Sequence, residues 1–269
     1  MKTPMVKLND GREMPQLGLG VWQSTGGAEV DAVRWALEAG YRHIDTAAIY
    51  KNEEGVGRAL AESEVARDDI WLTTKLWNAD IRAGHARRGL ETSLRKLGLD
   101  HIDLYLLHWP TQGFEQAWTQ LVALREEGLC RSIGVSNFMP EHLEAIAADA
   151  VPAVNQVELH PYFQPAEVLQ ACEARGIAIE GWSPLMQGEF RNEPLFSTIG
   201  EALGKSAAQV VLRWALQRGF ITIPKSKNES RIRENGDVFD FALSDDQMAQ
   251  VDALGRDGRL GPDPRNFSF

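Results

Sequence analysis

Two periodicities alternate along almost the whole chain. Short apolar runs, YRHID (41–45), IWLTTK (70–75), IDLYLLHW (102–109), CRSIGVS (130–136), AVNQVE (153–158), IAIEGWS (177–183) and FITIP (220–224), read as buried strands. Between them lie longer stretches with apolar residues three and four positions apart, the spacing of one helix face: 29–40, 53–63, 84–98, 115–128, 141–150, 165–176 and 207–219. Gly40, Gly98, Gly128, Gly176 and Gly219 each close such a stretch, where a residue free to adopt positive φ ends a helix cheaply. Counting Leu17 to Gly20 as a first strand gives eight strand–helix units. That regularity, without a linker, favours a closed (β/α)₈ TIM barrel over an open doubly wound sheet. The opening MVKLNDGREMPQLG adds an N-terminal β-hairpin turning at Asn9-Asp10-Gly11. Ser244 to Leu254 predicts one extra C-terminal helix, followed by a non-repetitive tail from Asp257 to Phe269. A single barrel domain over 1–269 is expected.

In a barrel of this kind functional groups collect at the carboxyl ends of the strands. Asp45, Tyr50, Lys75 and His108 lie there in succession. One such residue alone is ordinarily a turn or capping residue; four chemical types in order are a proton-delivery set. A phenol has an unperturbed pKa of about 10, and an ammonium about 4 Å away at an effective dielectric of about 20 favours the phenolate by roughly 4 kcal/mol. On this reading Lys75 draws Tyr50 towards the range of a general acid, Asp45 keeps Lys75 charged, and His108 orients an oxygen or the phenol. Such a set suits protonation of an oxygen whose carbon is being reduced.

Composition narrows the alternatives. At 269 residues and 43% apolar content the chain can bury a large core, and a net charge of −10 with a pI near 5.2 speaks against a nucleic-acid surface. No signal-like or membrane-spanning apolar segment is present, so a soluble, cytoplasmic protein is expected. Cys130 and Cys172 form no CxxC pair and the six histidines no HExxH, so neither zinc nor another metal is expected. Gly18-Leu19-Gly20 suggests a dinucleotide fingerprint, but Gln23 stands where its third glycine belongs and Pro15 interrupts the preceding strand. The serines of GVSNF and GWSPL lack the closing glycine of a nucleophile elbow.

Five segments together resemble the aldo-keto reductase superfamily from about Lys7 to Phe269: DTAAIYKNEEGVG (45–57), TKLW (74–77), LLHWP (106–110), IGVSNF (133–138) and IPKSKNESRIRENGDVFDF (223–241). The tail DGRLGPDPRNF is similar to that of the family's bacterial diketogluconate and methylglyoxal reductase branch. The resemblance implies NADPH-dependent reduction of aldehydes and ketones, with methylglyoxal and keto-sugar acids as candidate substrates and Tyr50 as general acid. It further implies that Ser136, Asn137 and Gln156 meet the nicotinamide carboxamide, that Trp182 stacks on the ring, and that Glu234 and Asn235 meet the adenine. Gly20, Val21, Trp22, Ser183, Pro184 and Leu185 are expected to border the same cofactor. Lys225, Ser226 and Arg231 combine a point charge, a hydroxyl and a guanidinium fork, the set a 2′-phosphate needs. Many diketogluconate reductases carry another basic residue where this chain has Asn228, which predicts a softer preference for NADPH over NADH.

Trp22, Trp77 and Trp109 follow strand ends on the catalytic side and, with Tyr50 and His108, are expected to line a substrate pocket suited to small carbonyls. Asn78 offers a neighbouring hydrogen bond. Met186 to Gly200 reads as a short loop, predicting an open site and fast cofactor exchange. A second reading, a catalytically weak NADP(H)-binding redox sensor or regulatory subunit, keeps the same four residues; the lack of an N-terminal extension weighs towards the enzyme. A small-molecule partner and a monomer are expected.

Overall fold

In the computed structural model residues 3–267 are described. The strands are β1 (Met5–Lys7), β2 (Glu13–Pro15), β3 (Leu19–Gly20), β4 (His43–Asp45), β5 (Trp71–Leu76), β6 (Ile102–Leu107), β7 (Cys130–Ser136), β8 (Val154–Glu158), β9 (Ala178–Trp182) and β10 (Ile221–Thr222). Strands β3 to β10 form one parallel sheet in sequence order, each paired to the next. The two outer strands meet through bridges at Leu17–Thr222 and Gly20–Lys225, reinforced by Gly18 N–H to Thr222 O (2.9 Å), Thr222 N–H to Gln16 O (2.9 Å) and Gly20 N–H to Pro224 O (3.1 Å). The expected barrel is therefore closed. Gly18 and Gly20 serve this closure rather than a phosphate-binding turn; a Cβ on Gly18 would strike the His43 ring at 2.4 Å.

β5 and β6 are buried along their whole length, which is why they read as continuous apolar runs rather than alternating ones. Helices pack outside. In Ala86–Leu97 the buried positions Ala86, Leu90, Leu94 and Leu97 form one stripe, and Gly98, with φ 69°, ends the helix. The other four expected glycine stops also have positive φ. The hairpin of β1 and β2 is antiparallel, and Leu8 and Met14 pack with Leu104, Leu106, Val154 and Ile221, plugging the amino-terminal end of the ring.

Three readings are corrected. The first and last barrel strands are only two residues long, because both end against the seam. The helix expected over 141–150 is Pro140–Ile146, followed by turns. Met186 to Gly200 is not an open loop: it folds as a 3-10 segment, Met186–Asn192, followed by an α-helix, Pro194–Leu203. Met186, Phe190, Phe196 and Ile199 anchor it in a second apolar cluster with Val210, Val211 and Trp214. The extra C-terminal helix is found at Asp245–Asp252, and Asn78–Arg82 and Glu229–Gly236 add helices after β5 and β10. Among the described residues no helix is long and apolar enough to cross a membrane. Cys130 and Cys172 are free and buried, and no group of metal-ligating side chains is found among the described residues.

Candidate active site

Asp45 ends β4, Tyr50 ends the short 3-10 turn Ala48–Tyr50, Lys75 lies near the end of β5, and His108 follows β6 by one residue. The ring thus brings all four together at its carboxyl face. Lys75 Nζ donates to Asp45 Oδ1 at 2.6 Å and to the Thr46 carbonyl at 2.9 Å. The same ammonium lies 5.1 Å from the centre of the Tyr50 ring. The His108 ring meets Tyr50 and Trp77 edge to face, with centroids 5.8 and 5.2 Å away.

Electrostatics refine the expected roles. Burial, and then Lys75, hold the His108 pKa well below the ordinary imidazole value, so the ring is neutral. Burial pushes the Tyr50 phenol above its ordinary value, and the opposing ammonium of Lys75 offsets this only in part. This corrects the expectation that Lys75 brings Tyr50 down towards neutrality: the phenol is a loaded acid at neutral pH, with a cation ready for the charge that proton transfer would leave behind. Burial also raises Asp45, against the pull of Lys75 and Gln156.

Asp45, Tyr50 and His108 open into a cavity of about 1240 Å³, with Lys75 buried beneath them. Drug-sized pockets run to about 1,000 Å³, so there is room for a dinucleotide and a small substrate together. Gly20, Trp22, Asp45, Tyr50, Trp77, His108 and Trp109 border it. So do Ser136, Asn137, Gln156, Trp182, Ser183, Pro184 and Leu185, and Lys225, Ser226, Arg231, Glu234 and Asn235 complete the wall. Val21 does not. Its side chain is in the main core, its N–H donates to the Asp45 carbonyl at 3.1 Å and its carbonyl accepts from Asn52 Nδ2 at 2.9 Å.

Part of this wall is prearranged by its own hydrogen bonds. Asn137, with φ 65°, donates through Nδ2 to the His108 carbonyl and to Ser136 Oγ, both at 3.0 Å, and accepts from Trp182 Nε1 at 2.9 Å. Ser136 Oγ donates to the Gln156 carbonyl at 2.8 Å. Gln156 Nε2 donates to Asp45 Oδ2 (2.8 Å) and Glu180 Oε2 (2.7 Å). With their donors spent on protein acceptors, Asn137 and Gln156 present acceptor oxygens, complementary to an amide NH₂.

The helix Glu229–Gly236 starts at Asn228, whose side-chain oxygen accepts from the Arg231 N–H at 3.1 Å. Asn228 is thus a helix cap. Lys227, missed in the sequence because it sits in a charged run, also lines the cavity and depresses the Lys225 ammonium, second to burial. Among the described residues Lys225, Lys227 and Arg231 form no ion pair, whereas nearby Arg233 pairs with Glu229 and Glu38, and Lys205 with Asp237 and Asp240. Three cations lining one cavity of an acidic protein, without acid partners among the described residues, fit a phosphate.

The C-terminal tail forms the remaining wall. Glu158 accepts from the Leu260 and Gly261 N–H groups at 2.6 and 2.9 Å, and its carboxylate lies 2.9 Å from His160 Nε2. Leu260, Gly261 and Pro262 border the cavity, while Trp22, 47% exposed, stands open at its rim and Trp109 packs on Phe267 at 4.8 Å. Gln187, Gly188, Phe190 and Arg191 of the 3-10 segment also border it, so the region expected to be open has a wall with apolar anchors.

Residues 16–256 match the model described as the Aldo/keto reductase family. Glyoxal reductase of Bacillus subtilis (strain 168) is 48% identical over 98% of this chain and 97% of its own length. Methylglyoxal reductase DkgA of Escherichia coli (strain K12) is 46% identical, covering 98% of each. The Bombyx mori aldo-keto reductase, solved in complex with NADP, superposes with a TM-score of 0.91 at 35% identity, covering 97% of this chain and 96% of the other.

Proposed function

Because the chain belongs to the aldo/keto reductase family, whose members are NADP-dependent oxidoreductases, we propose that it reduces small aldehydes and α-dicarbonyls such as methylglyoxal, and keto-sugar acids such as diketogluconate, to alcohols. One observation carries this reading: the Asp45–Lys75–Tyr50–His108 cluster and the unpaired Lys225, Lys227 and Arg231 border or underlie the same cavity. The glyoxal and methylglyoxal reductases among its relatives support the substrate class.

When bound, NADPH supplies the reducing equivalents for the carbonyl carbon. Lys225, Lys227, Ser226 and Arg231 would hold its 2′-phosphate, and Glu234 and Asn235 would border its adenine. Gln156 and Asn137 would offer acceptors to the carboxamide, with Ser136 fixing them, and Trp182 would border the nicotinamide. Tyr50 gives its phenolic proton to the substrate oxygen, and Lys75 stabilises the phenolate that remains. Asp45 keeps Lys75 charged in a site where an isolated ammonium would shed its proton. Neutral His108 orients the substrate oxygen, and Trp22, Trp77 and Trp109 give small carbonyls an apolar wall with few polar demands. The enzyme works as a soluble cytoplasmic monomer on this proposal.

The test is kcat/KM over a panel of methylglyoxal, glyoxal, keto-sugar acids and aromatic aldehydes with NADPH and with NADH. Highest efficiency on α-dicarbonyls with NADPH is the expected result. NADPH oxidation no faster than the protein-free blank with every carbonyl would overturn the assignment in favour of a sensor.

A further inference from the structure

Glu180 lies in the middle of β9, wholly buried, and none of the roles above requires it. Its strand neighbours are Gln156 on β8 and Ile221 on β10. Its Oε2 accepts from Gln156 Nε2 at 2.7 Å, and that same nitrogen donates to Asp45 Oδ2 at 2.8 Å. Its Oε1 stands 3.4 Å from His43 Nε2. Glu180 is therefore joined to the tetrad through a single amide.

The charges around it do not balance if every acid is ionised. The titratable groups facing it are Asp45 and His43 from β4, Lys75 from β5 and Tyr50 from the turn after β4. His43 is neutral, because burial drives its pKa down to about 3. The Tyr50 phenol is protonated. The sole cation is Lys75, already bonded to Asp45. Two carboxylates beside one ammonium, shut away from water, leave a charge that a low-dielectric interior does not tolerate. One added proton removes it. Asp45 has the ammonium, so the proton belongs to Glu180. Because Oε2 already accepts from Gln156, the proton sits on Oε1, facing a neutral imidazole nitrogen able to accept it.

We propose that Glu180 is a positioning residue of the active site: a neutral carboxylic acid that holds Gln156 in place and, on losing its proton to solvent, sets a second negative charge beneath Lys75. This deepens, and rests on, the reading of Tyr50 as general acid. Burial and the neighbouring Asp45 push the Glu180 carboxyl up to about 8, so the change falls just above neutrality. An ionised Glu180 favours the protonated forms of Lys75 and Tyr50, which makes the phenol a weaker acid and slows reduction. It also removes the donor facing His43, leaving Gln156 held by a carboxylate in place of a carboxylic acid.

Glu180→Gln imitates the neutral acid, since its oxygen can accept from Gln156 and its NH₂ can face His43, but it cannot ionise. Two measurements decide the matter. The first is an infrared titration of the cofactor-free protein with ¹³C-labelled glutamate carboxyls, following the C=O band of a protonated acid. The second is the pH dependence of kcat for carbonyl reduction from about pH 6 to about pH 10, a range spanning the expected midpoint. In the wild type a glutamate band should be present at neutral pH and disappear through a midpoint near 8 as turnover falls. In E180Q the band should be missing, and the fall in kcat across the range should shrink by about threefold or more. Absence of the band in the wild type at neutral pH, its persistence in E180Q, or superimposable pH profiles would each overturn the proposal. The wild-type titration needs no variant to fold and no substrate to turn over. An inert protein would thus sink the proposed reductase function while the Glu180 proton was still decided.

Discussion

Lys75 Nζ sits 2.6 Å from Asp45 Oδ1 with both side chains shut away from solvent, an ion pair that neither partner can leave without stranding the other. Breaking a buried pair by neutralising one member costs about 3–5 kcal/mol, because the remaining charge is uncompensated. Asp45→Asn is expected to lower unfolding free energy by about 3 kcal/mol and kcat by about a hundredfold, as Lys75 loses its directly bonded counter-ion and is no longer held in place to receive charge from Tyr50. Urea unfolding and steady-state kinetics on one preparation check both; a variant with wild-type kcat refutes the role given to the pair.

Tyr50→Phe removes one oxygen from the site. Turnover should fall by about three orders of magnitude while the NADPH Kd stays within about twofold, since a general acid acts on the transition state and not on cofactor affinity. Fluorescence titration and single-turnover kinetics separate the two quantities. A phenylalanine variant that reduces methylglyoxal at the wild-type rate ends the assignment.

Lys227 supplies an ammonium where Asn228 is occupied as a helix cap. Lys227→Ala should weaken NADPH about fivefold, the loss of one solvent-exposed charge-assisted contact, and change the NADH Kd by less than about twofold. Equal losses for the two cofactors would mean that Lys227 does not read the phosphate. The softer NADPH preference expected from Asn228 alone is then offset one residue earlier in the chain.

Glu158 fastens the tail through the backbone N–H groups of Leu260 and Gly261. Glu158→Gln keeps the shape but loses the charge, and one of its two oxygens becomes a nitrogen that cannot accept. Deuterium uptake across residues 256–264 should rise, and KM for the carbonyl should increase by about threefold, the cost of one weakened charge-assisted bond, while NADPH affinity is preserved. Unchanged uptake in this segment would show that the strap is held elsewhere.

Stability should peak in mild acid. Glu180 keeps in the fold a proton that the unfolded chain loses above 4.5, so its contribution to stability declines as pH rises from there to about 8. His43 refuses a proton that the unfolded chain takes up below 6.5, so stability declines as pH falls from there to about 3. The urea midpoint is therefore expected to be highest between pH 4.5 and 6.5. At neutral pH Glu180→Gln, free of the protonation penalty, should be more stable than the wild type by roughly 3 kcal/mol. A midpoint that rises steadily to pH 8 contradicts this.

The barrel and the four candidate residues were legible because each stands at a strand end or in the turn just after one, where the alternating pattern marks its place. Glu180 was hidden for the opposite reason. Within IAIEGWS it looks like one polar residue in a strand, and spacing alone cannot say that a fully enclosed barrel brings it to Gln156, Asp45 and His43, whose positions lie up to 137 residues away in the numbering. Lys227 was lost among equally charged neighbours, and only ion pairing distinguishes it from Arg233. The helix Pro194–Leu203 carried its start signal in Pro194, but the preceding Gly188 and the β-branched Thr198 and Ile199 made the stretch look like loop. Val21 was grouped with its cavity-lining neighbours Gly20 and Trp22, but its own side chain packs into the main core.

The ring closes along its shortest strands, two residues on either side. Gly20 and Trp22 stand on one flank of that seam, Lys225 and Ser226 on the other, and all four border the same cavity. A ligand filling the cavity touches both flanks and favours the shut ring by mass action, by about 2.7 kcal/mol at a hundred times its Kd. On the proposed function, the junction with the fewest strand residues is also the one a bound dinucleotide would straddle, so the cofactor would act as a clasp for the scaffold as well as a reagent.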